Sequence, residues 1–181
     1  LALKLLGKFI LSGDDDSLRK LKHLFEENGI SVISQKYYLK DRFLSKDYRI
    51  GKKLTMEEIK SVNFGIKVLN KLGDLDVGQS IVIQQKRVIA IECSEGTDKM
   101  ILRAKKLIDK STFGSVFIKM AKTHQDINQD VPVIGLKTIM NLYKSEIMKV
   151  AVQSNYCMLA DDLIEIENLI KKLKMSLISV E

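Results

Sequence analysis

The residues best suited to chemistry lie between Asp76 and Gly135. Glu95-Gly96-Thr97-Asp98 sets two carboxylates around a glycine and a hydroxyl, just after an apolar run. Gly96 allows a tight turn or a close backbone approach. Thr97 or Asp98 can cap a helix, whose free N–H groups and positive dipole end favour a phosphate. Glu95 and Asp98 are hard oxygen donors of the kind that hold a divalent ion against phosphate oxygens. A capped helix after a turn accounts for the same four residues equally well.

A second group follows. Lys119 ends another apolar run and could face an anion. Gln125, Asp126 and Asp130 then sit in a loop of about a dozen residues, a length that is usually functional or disordered. Two carboxylates there can bind a metal or orient a water; a solvated loop with helix-capping aspartates is the plain alternative. His124 lies in the same loop and suits a general base or simple solvation. His23 falls among Lys20, Lys22 and Glu26 and reads as surface. Cys93 has no base partner in the sequence, so a catalytic thiol is not expected. No Walker motif, GxGxxG, HExxH or GxSxG occurs.

These groups recur just after apolar runs, and open α/β proteins place ligand sites outside the carboxyl ends of their strands. The elements that would position them can be read from periodicity and breakers. Residues 1–12 read as a helix, broken by Ser12-Gly13-Asp14-Asp15. A second helix carries Leu18, Leu21, Leu24 and Phe25 and ends at Asn28-Gly29. Ile30 to Ile33 reads as a short strand. Thr55 with Glu58 forms a capping-box pattern before a helix from Met56 to Leu72. Ser80–Gln85 and Val88–Cys93 read as a hairpin about Lys86-Arg87. Then come a helix (98–110), a strand (115–120), a helix (137–143), a strand (149–152), a helix (161–173) and a last strand (176–180).

The fold class expected is α/β, with two small domains. Residues 1–51 would be the back part of an incomplete N-terminal α/β domain and 52–74 a connecting helix. Residues 75–181 would form a C-terminal domain with a mixed or parallel sheet covered by helices.

Bulk composition narrows the class. The chain has 181 residues, 45% hydrophobic and 29% charged, which is globular rather than disordered. Its longest apolar runs are about six residues, far below the ~20 that span a bilayer. The formal charge of +7 suits anionic partners. Lysine is spread along the chain with no interleaved aromatics, so nucleic acid is not the expected partner. Cys93 and Cys157 make no CxxC and read as buried free thiols, which suits the cytoplasm. Leu1 to Leu11 opens on an uncapped apolar pattern, as if the chain begins inside a longer protein.

Order and spacing then point to a family. Asp76-Val-Gly-Gln79, Ile81–Gln85, Val88–Glu92, Glu95–Asp98 with Arg103, Lys119, Gln125-Asp126, Asp130-Val-Pro132 and Ile134-Gly135 follow one pattern. The chain resembles the two-domain, metal-dependent UDP-2,3-diacylglucosamine pyrophosphatase family of lipid A (lipopolysaccharide) biosynthesis, which is not the calcineurin-like phosphoesterase type. It departs from that family at Lys122-Thr123-His124 and Asn128-Gln129, where a proline and an arginine usually stand. The family's Gly-rich opening segment is absent from the sequence.

The resemblance implies a hydrolase that gives UMP and 2,3-diacylglucosamine 1-phosphate, with Mg²⁺ or Mn²⁺ as cofactor. It assigns Asp130 and Asp126 catalytic and metal roles, with Glu95 and Asp98 as further metal ligands. Gln79, Gly96, Thr97, Arg103, Lys119 and Gln125 become substrate-binding residues. The partners expected are the UDP-diacylglucosamine lipid and weak peripheral membrane contact, with homo-oligomerisation left open. The location implied is cytoplasmic, at the inner face of the inner membrane. A non-catalytic nucleotide-sugar or lipid-phosphate binding module is the first alternative, and a basic nucleic-acid-binding domain the second.

Overall fold

The computed structural model describes residues 14–112, 114–123, 125 and 130–181, with side chains from Ser17 onward. The helix expected over 1–12 lies outside them.

Helix α1 (Asp14–Glu27) stands where its apolar spacing placed it. The segment after it is not a strand: Ile30–Ile33 joins no sheet, and Ile30 and Ile33 are 55% and 63% exposed. A short apolar run becomes a strand only when a neighbour takes its hydrogen bonds. A single turn, α2 (Gln35–Tyr38), follows, and the Ser34 side chain caps it by accepting from Lys36 N at 3.3 Å.

From Leu44, which is buried, the chain enters the core. Strand β1 (Arg49–Gly51) pairs antiparallel with the final strand, β8 (Ser176–Val180). Helix α3 (Met56–Gly73) begins with the capping box expected of it. Thr55 Oγ1 accepts from Glu58 N at 3.2 Å, and Thr55 N donates to Glu58 Oε2 at 2.7 Å.

Strands β2 (Ser80–Gln84) and β3 (Arg87–Ile91) form the expected hairpin. Its turn is Gln85-Lys86 rather than Lys86-Arg87. Both turn residues have positive φ (51° and 58°), the backbone of a two-residue hairpin turn that matches strand twist. Next come α4 (Thr97–Lys105), β4 (Ser115–Lys119), β5 (Val133–Ile134), α5 (Leu136–Lys144), β6 (Lys149–Gln153), β7 (Met158–Leu159) and α6 (Leu163–Lys172).

The main sheet has six strands in the order β1-β8-β6-β4-β2-β3. Strands β4, β6 and β8 are mutually parallel, while β1, β2 and β3 run antiparallel to their neighbours. A mixed sheet results, as expected of the α/β class. Strands β5 and β7 make a separate parallel pair.

Alternation along the strands divides the core between two faces. Val82, Phe117, Val150, Val152 and Leu177 pack with Met100 and Ile101 of α4, Ile139 and Leu142 of α5, and Ile166 and Ile170 of α6. Ile81, Ile83, Val116, Ile118 and Ala151 pack with Val62 and Leu69 of α3. Helices therefore cover both faces, and polar residues gather at the strand ends.

Candidate functional site

The register of three strands builds the first part of the site. Ser80 at the start of β2 lies opposite Lys119 at the end of β4, and Glu92 N donates to Ser80 O at 2.9 Å. Residues just before β2, just after β3 and at the carboxyl end of β4 thus share one edge. Helix α4 starts there too. Gly96 is its N-cap, with φ 79° and ψ 166°, a region that side-chain-bearing residues avoid. A Cβ added at Gly96 would meet nothing within 4 Å, so the helix start is open to an incoming group.

Lys119 is only 5% exposed. Its ammonium donates to Thr97 Oγ1 at 2.6 Å and stands 3.7 Å from Glu92 Oε2. Thr97 Oγ1 donates to Glu92 Oε1 at 2.7 Å, and Ser80 Oγ donates to Glu92 Oε2 at 2.6 Å. A buried cation, a carboxylate and two hydroxyls thereby form one hydrogen-bonded cluster at the start of α4.

The other charged residues of the Glu95–Asp98 segment are engaged elsewhere. Glu95 pairs with Arg103, whose guanidinium also donates to Ile91 O at 2.8 Å. That guanidinium holds the Glu95 carboxyl below its ordinary range. Asp98 pairs with Lys137 of α5 at 2.8 Å, and this hydrogen bond lowers its carboxyl likewise. Arg103 therefore ties α4 to β3 and lies beside Glu95.

The second part of the site follows β4. Gln125 Nε2 donates to Asp130 Oδ2 at 2.7 Å, and Gln125 Oε1 accepts from Lys122 N at 3.1 Å. One amide thus fixes both sides of the loop. Lys122 Nζ reaches Asp76 Oδ1 at 2.5 Å, and Gln153 Oε1 accepts from Ala121 N at 2.9 Å. Gln125, Lys122, Gln153, Tyr156 and Asn70 line a cleft of about 460 Å³. Gln79 lies at the same edge, where its carbonyl accepts from Met120 N at 2.9 Å. A hollow of about 600 Å³ opens beside Thr55, Ser61 and Gln85, at the opposite end of the sheet from Lys119.

Of the expected site residues, Thr97 and Lys119 are in direct contact beside Gly96, and Gln125 is in direct contact with Asp130. Gln79 is adjacent, whereas Glu95 and Asp98 are separately paired. Asp126 and His124 lie outside the described residues. A divalent ion needs several oxygen donors at one point. Among the described residues no three His, Cys, Asp or Glu side chains gather to hold a metal. Those residues alone do not fit such an ion.

Glu92, Ser80, Asp76 and Gln153 escaped the sequence reading as site residues. The signal for Glu92 was the one that marked Lys119, a charge at the end of an apolar run. One cysteine also differs from expectation. Cys93 is exposed because β3 ends at Ile91, before it. Cys157 is buried, and its Sγ donates to Lys119 O at 3.2 Å. Burial pushes its thiol up to about 12.

Fold and site together define an α/β domain with its polar groups gathered outside the strand ends, the arrangement of a ligand-handling sheet. The chain belongs to the LpxI family: residues 46–178 match the family's C-terminal domain. The UDP-2,3-diacylglucosamine pyrophosphatase LpxI of Caulobacter vibrioides is 31% identical over 147 residues, 76% of this chain and 52% of that protein. The chain thus spans about half the length of the curated relative it matches. The resemblance carried by Asp76–Gly135 is shown by both matches.

Proposed function

We propose that this chain serves the hydrolysis of the pyrophosphate of UDP-2,3-diacylglucosamine to UMP and 2,3-diacylglucosamine 1-phosphate. The observation that carries the reading is the Lys119–Thr97 pair at the open start of α4. Pyrophosphate cleavage asks a protein chiefly for positioning and charge stabilisation. In this reading the Gly96-Thr97 backbone and the Lys119 ammonium meet phosphate oxygens, as a helix start with a cation suits. Asp130, steadied by Gln125, orients the attacking water. Gln79 and Lys122 face the remaining polar groups of the substrate, and Arg103 balances charge beside Glu95.

A divalent ion, Mg²⁺ or Mn²⁺, belongs to the proposal, and when bound it would supply positive charge to the phosphate oxygens. Its expected ligands are Asp126, Asp130, Glu95 and Asp98, of which Glu95 and Asp98 would have to leave Arg103 and Lys137 to serve. The substrate is a lipid, so weak contact with the inner face of the cytoplasmic membrane is also proposed. Among the described residues no helix is long and apolar enough to cross a membrane.

The test is UMP release from UDP-2,3-diacylglucosamine, with and without Mn²⁺ or Mg²⁺. We expect metal-dependent release, and Asp130→Ala should lower kcat by at least about a hundredfold with the melting temperature unchanged. Near-normal turnover by Asp130→Ala would remove that residue from the reaction. A second reading is a module that binds a nucleotide-sugar or lipid phosphate without cleaving it. The ion pairs that occupy Glu95 and Asp98 favour it. Metal-independent binding of the substrate with no UMP formed would decide for it.

A further inference from the structure

The carboxylate of Glu92 draws together side chains from three other elements: Ser80 from β2, Thr97 from α4 and Lys119 from β4. The direction of each hydrogen bond follows from the chemistry. A lysine ammonium donates only, and an ionised carboxylate accepts only. Thr97 must therefore take its bond from Lys119 and spend its one hydrogen on Glu92. Ser80 likewise donates to the other carboxylate oxygen. With Lys119 only 5% exposed, its charge needs a counter-charge close by, and Glu92 stands at ion-pair distance.

We propose that Glu92 is the positioning residue of the site. It fixes the Thr97 hydroxyl and the Lys119 ammonium in one orientation, so that the ammonium is aimed at a phosphate oxygen lying against the start of α4. The inference rests on the reading that this site handles a pyrophosphate. An ammonium carries three N–H groups. Thr97 accepts one, Glu92 attracts a second, and the third is left for the ligand. Exchanging the carboxylate for an amide would place a donor against Ser80 or Thr97. One hydroxyl would then have to reverse, and Lys119 would lose its counter-charge.

The experiment compares the 181-residue chain with its Glu92→Gln and Glu92→Asp variants by two readouts. The first is the ¹⁵N–¹H signal of the Lys119 ammonium, identified by its absence in Lys119→Met. A buried, hydrogen-bonded ammonium exchanges slowly with water and gives a distinct resonance. The second is UMP release, read separately as kcat and KM.

We expect Glu92→Gln to melt cooperatively, to lose the ammonium resonance, and to lose about ten- to a hundredfold in kcat with KM moved by less than about threefold. Glu92→Asp keeps the charge on a shorter arm, so its resonance should shift and its kcat fall between the two. Persistence of the resonance unshifted in Glu92→Gln overturns the proposal, as does a lost resonance with kcat unchanged. If Glu92→Gln does not fold, Glu92→Asp decides alone, and an unshifted resonance with full kcat overturns the proposal. If the 181-residue chain releases no UMP, kcat and KM are read in a longer form that matches its relative's full length; if neither form releases UMP, the pyrophosphatase reading fails on its own, while the resonance still reports whether Glu92 holds Lys119.

Discussion

Single side chains in this protein differ chiefly in what their burial forces on them. The two cysteines make the contrast. Thiolate is the reactive form of cysteine, and an apolar surrounding disfavours it. Cys157 is buried with its thiol pushed up to about 12 from 9.0, whereas Cys93 is exposed. A disulfide reagent at pH 8 should therefore modify one thiol per native chain and both after denaturation. Two reactive thiols in the native protein would contradict the burial of Cys157. A pH dependence follows with a definite sign. Above pH 9.0 the unfolded chain releases the Cys157 proton while the folded chain keeps it up to about 12. The unfolded state is thereby favoured as pH rises through that window, by at most about 1.4 kcal/mol per unit. Denaturant midpoints from pH 9 to 12 should fall more steeply for the unaltered protein than for Cys157→Ala. Parallel slopes would show that this thiol does not set the alkaline limb.

Loops and strand ends show how an element is held to its neighbour, and Gly78 is the sharpest case. It has φ 57°, and a Cβ built there would lie 1.9 Å from the carbonyl oxygen of Glu92. The obstacle is backbone and cannot rotate away. Gly96 also has a positive φ, but space is open around it. The two glycines of this region thus serve different ends: Gly78 lets the chain before β2 lie against the end of β3, and Gly96 opens the start of α4. Gly78→Ala should destabilise the fold by about 3 kcal/mol, combining a left-handed backbone penalty with a steric clash. It should also disturb Glu92, and with it Lys119. A thermal melt checks the first effect, and a shift of less than about 1 kcal/mol would show that the strand end gives way freely. Much of this architecture was legible in the sequence, because capping and periodicity are local. Thr55 with Glu58 announced α3, and short β-rich apolar runs announced β2, β3, β4, β6 and β8. The turn slipped by one residue because Gln85-Lys86 lacks the asparagine or glycine that usually marks positive φ. Strands β5 and β7 were missed because two residues carry no period. Lys119 and Glu92 could each be seen as charges at strand ends. Their contact depends on the β2–β4 register, which is not a local property.

The molecule as a whole divides by where burial begins. Among residues 17–33 no side chain is buried, and Phe25, Ile30 and Ile33 are all exposed. Contacts to the turn between β6 and β7 follow. Lys36 Nζ donates to Asn155 O at 2.8 Å and lies near the rings of Phe43 and Tyr156. Leu44 is 1% exposed, and its carbonyl accepts from Asn155 N at 3.0 Å. The family match begins at residue 46, close to this point. Stability follows buried apolar area, and α1 with its following segment contributes little of it. A chain beginning at Ser34 should therefore keep the six-stranded sheet, all of whose strands it retains, and the loss of residues 17–33 should account for no more than about 0.5 kcal/mol of any change, the range of surface changes. Equilibrium denaturation of the two chains, side by side, measures this. A loss of several kcal/mol, or of cooperative unfolding, would mean that α1 closes on the core. Equal stability with unequal UMP release would separate the two tasks, assigning residues before Ser34 to substrate and the rest to fold. The cluster of Glu92, Thr97 and Lys119 draws every one of its elements from the retained part, so its ammonium resonance should survive the truncation unchanged.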